Sequence, residues 1–280
     1  MPKKQTTIFA IIMAMVFLPN IKLTGQENSN NGSVYTINKK VELPVTVALF
    51  MSNYFGYQYI NKKTPLTVDA INALDANDIW WPDRFATQQD PGKRNKFHNA
   101  SDVVMNVTIA LPALLMVDSK FRKDWLDLLI LYGETHALNS SLHLSVSAIT
   151  NRIRPFVYHP DIDIEDKTVS GTTESFYSGH TSTTAAASFF MAKVISDYHP
   201  ELGNKKYWVF SAALIPPIVV GALRVKAMKH FPTDIASGLV IGAAVGILVP
   251  HLHKNKKNKD LSFIPFTGEV HGLRIHYTIR

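Results

Sequence analysis

Between Val103 and Pro250 the chain carries five apolar runs, at about 103–117, 126–149, 181–196, 207–223 and 235–250, and nothing else in it limits the fold so strongly. A half-buried strand alternates polar and apolar residues, and a fully buried strand ends after roughly 4–8 residues, so runs of this length belong to helices. They predict an all-α class, a helical bundle of five to six core helices, each burying its apolar face against a neighbour or lipid. The composition agrees: 46% of residues are hydrophobic and 18% charged, against roughly 25% charged in an ordinary soluble domain.

The cleaner runs hold about 16 residues, short of the roughly 20 that cross a bilayer, and Glu134, His136 and Lys193 interrupt others. Two features still favour a membrane. Gly238, Gly242 and Gly246 recur every fourth residue and make one smooth face for close helix contact. If each run crosses once, the loops 118–125 (Lys120, Arg122, Lys123) and 197–206 (Lys205, Lys206) share a side with the tail (Lys254, Lys256, Lys257, Lys259). The positive-inside bias makes that side cytoplasmic. Loops 150–180 and 224–234 then face outward. A soluble exported bundle, with the same lysines as solvated surface, is the alternative.

Lys3 and Lys4, the apolar stretch Ile8 to Leu18 and then Pro19 have the charged and apolar regions of an export signal. Residues 1–25 are therefore expected to be a signal peptide, or an uncleaved anchor if the apolar segment runs on to Leu23. Residues 26–100 read as an N-terminal extension without chemistry of its own, in which Ile79-Trp80-Trp81-Pro82 is an interfacial anchor or a packing pair. Residues 253–280 form a basic tail whose alternation from Leu273 to Ile279 predicts a strand. The net charge is +7, but the lysines lie in short loops rather than on one face interleaved with aromatics. That pattern argues against nucleic acid as a partner and for an anionic substrate or lipid headgroup. The absence of cysteine excludes disulfides and thiolate metal sites.

Three clusters carry candidate chemistry. In Asn151-Arg152-Ile153-Arg154-Pro155 a helix stops at proline beside two guanidiniums, whose planar forks suit phosphate oxygens or merely cap a helix end. In Ser175-Phe176-Tyr177-Ser178-Gly179-His180 the serine and glycine open a helix, where free amides and the dipole favour an anion and place His180 beside it for proton transfer. The bland reading is a serine cap followed by a surface histidine. In Arg224-Val225-Lys226-Ala227-Met228-Lys229-His230-Phe231-Pro232-Thr233-Asp234, Asp234 can accept a hydrogen bond from Nδ1 of His230, leaving Nε2 as a nucleophilic lone pair. Equally, Thr233 or Asp234 caps the helix and His230 is a loop residue.

Together the clusters resemble the signature of the type 2 phosphatidic acid phosphatase and vanadium haloperoxidase superfamily: Lys-x6-Arg-Pro, then Pro-Ser-Gly-His, then Ser-Arg-x5-His-x3-Asp. Arg154-Pro155, Ser178-Gly179-His180, and Arg224, His230 and Asp234 match in order and internal spacing, over about residues 101–252. Ser147 stands where the family has lysine, Tyr177 replaces the proline and Leu223 the serine. Arg152 is the expected stand-in for the absent lysine.

The resemblance implies a phosphatase without metal or cofactor. Arg154, Arg224 and the backbone of Ser178 and Gly179 would hold the phosphoryl oxygens. His230 would attack phosphorus to give a phosphohistidine, with Asp234 orienting it, and His180 would protonate the leaving group and then activate water. The substrate class it implies is a lipid phosphate monoester or pyrophosphate at the outer face of the inner membrane. A soluble exported acid phosphatase, or a weakened phosphate- or lipid-binding relative, are the alternatives.

Overall fold

The computed structural model describes residues 33–255 and two strands, β1 (Leu261–Phe266) and β2 (Gly272–Tyr277). The expected signal peptide or anchor at 1–25 lies outside the described residues, as do Lys256, Lys257 and Lys259. The strands pair antiparallel from Leu261 opposite Tyr277 to Phe266 opposite Gly272.

The longer helices are α1 (Lys39–Ile60), α2 (Arg94–Ala110), α3 (Trp125–Ile149), α4 (Gly179–Tyr198), α5 (Lys206–Ala213), α6 (Ile215–Lys226) and α7 (Pro232–His253). The five apolar runs fall on α2 to α7. The run at 207–223 is divided because Pro216 and Pro217 have no amide hydrogen to extend α5, and proline is tolerated only in the first turn of a new helix. Helix α2 continues as a 3₁₀ segment over Leu111–Val117. Three helical stretches are long and apolar enough to cross a membrane: Pro91–Val117 (27 residues), Pro200–Lys226 (27 residues) and Pro232–His253 (22 residues). The apolar runs understate these lengths because each helix continues through the polar residues at its ends.

Helix α1 lies in the segment read as an extension, yet it packs along α3. Asn53 Nδ2 donates to the Ala137 carbonyl at 2.9 Å, and Ser141 Oγ donates to Asn53 Oδ1 at 2.7 Å. Pro44 inside the helix and its scattered polar residues dilute the apolar signal.

Helix α4 is the hub. Ala185, Ala186 and Ala187 are fully buried, and the glycine face of α7 lies directly on its backbone. A Cβ added at Gly238, Gly242 or Gly246 would come within 2.6, 2.1 and 2.6 Å of the carbonyl oxygens of Ser178, Ser182 and Ala186. Close contact is therefore the function of that stripe, as its spacing predicts.

The two ends of the bundle differ in chemistry. At one end Lys120 pairs with Glu201 at 3.1 Å, while Lys254 and the Tyr35 hydroxyl both reach Asp197, at 2.6 and 3.0 Å. At the other end lie the loops 150–178 and 227–231. His180 and Asp197 sit at opposite ends of α4, roughly 26 Å apart at 1.5 Å per residue.

Two histidines lie inside α3, and His136 Nε2 and His143 Nδ1 have no hydrogen-bond partner among the described residues. Aromatic edges hold the rings instead, with Tyr132 4.5 Å from His136 and Tyr177 5.3 Å from His143. Trp80 and Trp81 are both largely exposed and touch each other edge-on, at 6.4 Å.

Candidate active site

Each motif segment is fixed by main-chain bonds before its side chains act. After α3 the chain turns extended, with Arg154 at φ −73°, ψ 150°, a conformation that the following Pro155 favours. Arg154 N donates to Thr172 O at 2.8 Å, Nε to Gly171 O at 2.6 Å and Nη1 to Lys229 O at 3.2 Å. Gly171 presents its carbonyl from a left-handed turn, φ +86°, which glycine adopts without penalty.

The turn from α6 to α7 is also over-determined. Met228 is fully buried with φ 54°, a conformation that costs a side-chain-bearing residue about 1–3 kcal/mol. Its amide donates to Val225 O at 2.8 Å, its carbonyl accepts from Phe156 N at 3.1 Å, and Lys229 N donates to Arg224 O at 3.0 Å. These bonds hold the turn and swing His230 back into the bundle.

His230 is buried, and its Nδ1 donates to the carbonyl of Ser175 at 2.7 Å. This corrects the expectation that Asp234 accepts that proton, since Asp234 Oδ2 is 3.9 Å away. The carboxylate is otherwise engaged. Its Oδ2 accepts from Phe231 N at 2.8 Å and from Ser175 Oγ at 2.6 Å, and its Oδ1 takes Arg152 Nη1. By the Phe231 bond Asp234 also caps α7, as one reading of the sequence had it. Burial first, then Arg154 and Arg224, hold the His230 pKa well below the ordinary value. The ring is neutral, and Nε2 carries a free lone pair.

Arg152 is not a phosphate ligand in reserve. Besides Asp234, its guanidinium binds Asp83 Oδ2 at 2.6 Å and Thr233 Oγ1 at 2.8 Å, and it lies 4.4 Å from the centre of the Phe231 ring. Asp83 also accepts from Thr233 N at 3.0 Å and Thr233 Oγ1 at 2.6 Å. A buried carboxylate must be paired, and Asp83 and Asp234 together saturate Arg152.

Ser178 is the N-cap of α4, its Oγ facing Thr181 N at 3.4 Å and Thr181 Oγ1 at 2.9 Å. Its own amide donates to Asp234 O at 3.1 Å, so it is not free for an anion as the motif led us to expect. The amides at the open end of α4 are those of Gly179 and His180. Gly179 is required there, because a Cβ would stand 2.8 Å from His143 Nε2.

Helix α2 completes the site from a region read as silent. His180 Nε2 lies 2.8 Å from Asp102 Oδ1. Arg224, buried on the last turn of α6, donates from Nη1 to His98 Nδ1 at 2.8 Å and to Ser101 Oγ at 3.3 Å, and its Nε has no partner. A guanidinium can only donate, so His98 Nδ1 is a lone pair and that ring is neutral. Asp83 and His98 fall inside the segment 26–100, and α2 runs through the boundary drawn at 101. The i, i+4 spacing of His98 and Asp102 on one helix face was the only sequence signal for this group; Asp83 had none.

The arrangement gathers a neutral, oriented imidazole, a second imidazole tied to a carboxylate, the buried Arg224, the half-buried Arg154 and a helix N-terminus. Such a set can hold a tetrahedral oxyanion, attack it and move a proton. Among the described residues one group of three metal-type ligands lies close together, Glu42, Glu134 and His253, all within 4.8 Å of one another, at the other end of the bundle.

Residues 125–258 match the model of the PAP2 superfamily. The crystal structure of the first transmembrane PAP2 type phosphatidylglycerolphosphate phosphatase from Bacillus subtilis is similar at 21% identity and a TM-score of 0.42, covering 73% of this chain and 93% of that one. No curated protein matches. The matched stretch, a little under half of the chain, carries all three motif segments.

Proposed function

We propose that this protein is a membrane phosphatase that hydrolyses phosphate monoesters or pyrophosphates of lipids through a phosphohistidine on His230. The observation that carries this reading is the buried imidazole of His230, fixed through Nδ1 by Ser175, with Nε2 free beside Arg154 and Arg224. The match of residues 125–258 to the PAP2 superfamily and the three apolar helices support it.

In this mechanism Arg154, Arg224 and the amides of Gly179 and His180 hold the non-bridging oxygens, and Nε2 of His230 attacks phosphorus in line with the leaving alkoxide. The P–N bond forms as the P–O bond breaks. His180 gives the alkoxide a proton, and Asp102, holding Nε2, stabilises its imidazolium and leaves Nδ1 as the donating atom. Neutral His180 then takes a proton from water, whose oxygen attacks phosphorus and releases His230. Asp234 and Ser175 position His230 without touching substrate. On this reading the protein sits in the inner membrane with the site end outward and the basic end in the cytoplasm, which the three apolar helices and the positive-inside bias support.

Trapping labelled phosphate tests this directly. Brief incubation of the detergent-purified protein with a phosphate-labelled lipid should give an acid-labile, base-stable adduct that maps to His230 and is absent in His230→Ala. Turnover without a protein-bound phosphate would refute the covalent route. Silence of the wild type towards lipid and soluble phosphates alike would refute the enzyme reading.

A further inference from the structure

Lys229 has no task in the mechanism above, yet it sits between the two arginines. Its amide bonds the Arg224 carbonyl at 3.0 Å, and its carbonyl accepts Arg154 Nη1 at 3.2 Å. Its ammonium lies 5.1 Å from the centre of the Phe156 ring, two residues after Arg154. Arg94 covers the same ring at 4.9 Å, but Arg94 is paired with Asp166 at 2.6 Å. Among the described residues Lys229 makes no ion pair with a carboxylate, and Asp166, the acidic group that acts on it, is held by Arg94; Arg154 Nε and Nη1 contact main-chain carbonyls, with Glu174 and Asp234 acting on it only from a distance, and the carboxylate beside Arg224, Asp102, is 3.9 Å away.

A half-buried cation placed among other cations, with its nearest acidic group already paired to a different arginine, costs free energy, and a chain keeps such an arrangement where an anion binds. Burial, together with Arg154 and Arg224, brings the Lys229 pKa down to about 7, and an arriving phosphoryl dianion would reverse that shift. The ring of Phe156 gives the ammonium a resting place it can leave, since a cation–π contact is weaker than a charge-assisted bond to phosphate.

We propose that Lys229 is a third phosphoryl ligand, whose ammonium binds a non-bridging oxygen of the group held by Arg154 and Arg224. The proposal rests on the phosphatase reading for its catalytic consequence but not for binding. It assigns to Lys229 the point charge that Ser147 does not provide.

The experiment measures the dissociation constant of inorganic phosphate and kcat/KM on a phosphomonoester for wild type, Lys229→Met and Lys229→Arg, with melting temperatures alongside. Methionine keeps the apolar stem over Phe156, and arginine keeps the charge. Lys229→Met should weaken phosphate binding by at least tenfold and lower kcat/KM by roughly 10²-fold, while Lys229→Arg retains most of both. If Lys229→Met does not fold, partial rescue of Lys229→Ala by methylammonium reads the same charge. Phosphate binding within threefold of wild type in folded Lys229→Met, or equal losses in the Met and Arg variants, would overturn the proposal. Loss of phosphate binding in Lys229→Met from a wild type that turns over no substrate would sink the catalytic reading and leave this one standing.

Discussion

Asp234 faces the imidazole of His230 across 3.9 Å without a hydrogen bond, and Ser175 bridges the two. Ser175 Oγ donates to Asp234 Oδ2 at 2.6 Å, and its carbonyl accepts His230 Nδ1 at 2.7 Å. The carboxylate therefore orients a peptide unit, and the peptide unit orients the ring. Arg152 and Asp83 continue the chain outward, so the buried negative charge is balanced two residues away from the reacting atom.

This relay brings together the activity losses of two substitutions that a direct Asp–His pair would set far apart. Ser175→Ala removes the hydroxyl but keeps the carbonyl that holds His230, so kcat should fall only about tenfold, well short of the roughly 10⁴-fold loss when an Asp bonded directly to the imidazole is changed. Asp234→Ala leaves half-exposed Arg152 with Asp83 alone and unpairs the buried donors Ser175 Oγ and Phe231 N, and should cost about 1–3 kcal/mol of stability, seen as a lower melting temperature. A loss of roughly 10⁴-fold in Asp234→Ala beside a small one in Ser175→Ala, with folding intact, would show that Asp234 acts on His230 directly.

Asp102 is predicted to act through His180. Asp102→Asn removes the charge that stabilises the imidazolium, and the loss in kcat on an alkyl phosphate should be roughly 10²-fold, the scale of one general-acid contribution. The deficit should shrink on p-nitrophenyl phosphate, whose leaving group departs without a proton. His180→Ala should show the same dependence. A deficit that ignores the leaving group would place Asp102 in the structure of α2 alone.

How much of this was legible follows from the kind of signal each feature leaves. Helices α3, α4 and α7 and the glycine stripe were readable because their apolar and small residues repeat at helical spacing. Arg154, Arg224, His180 and His230 were readable because their spacing matches a family pattern. Helix α1 was not, since Pro44 and Asn53 interrupt its apolar face. The pairing of His230 was misread because Asp234, four residues on, is a natural partner, whereas a main-chain carbonyl such as that of Ser175 leaves no trace in a sequence. Arg152 was misassigned for a related reason: its partner Asp83 is 69 residues away, and only the fold brings them together.

The neutral state of buried His230 has a cost at low pH. Its folded pKa lies well below the ordinary 6.5, so an unfolded chain binds a proton that the folded one does not. The contribution to stability is whole above about pH 6.5 and declines as pH falls below it. Melting temperatures from pH 7.5 to 5.0 should fall for the wild type and fall less for His230→Asn. Parallel slopes would mean that His230 is protonated in the folded protein.

Gly242 should be the most sensitive position on the bundle's central seam. A Cβ there would lie 2.1 Å from Ser182 O and 2.7 Å from its carbonyl carbon, and backbone cannot rotate away as a side chain would. Gly242→Ala must part α7 from α4, at a cost of 1–3 kcal/mol or more by the usual scale of overpacking. Because Ser178 and Asp234 lie on the same two helices and are joined by a 3.1 Å bond, activity should fall with stability. Gly203→Ala adds no contact within 4 Å and serves as the steric control, although its left-handed backbone (φ 48°) carries some strain of its own.

Orientation in the membrane can be read from two cysteines, because the chain has none of its own. The described chain enters and leaves at one end of the bundle: Thr36 N bonds His253 O at 2.9 Å, and Asn255 N bonds Val34 O at 2.8 Å. Lys120 and Glu201 lie at that same end, so Ser33 and Asn255 share a side of the bilayer. Two expectations then collide. The basic loops put that side in the cytoplasm, whereas a signal peptide cleaved near Gly25 would deliver Ser33 to the outside. The loops weigh more, because lysines and arginines in short loops set orientation directly. An exposed Asp161→Cys should therefore react with a membrane-impermeant maleimide in intact spheroplasts, and Asn204→Cys only after lysis. In that case residues 1–25 do not act as a cleaved export signal. The reverse labelling would restore the signal peptide and turn the active end towards the cytoplasm.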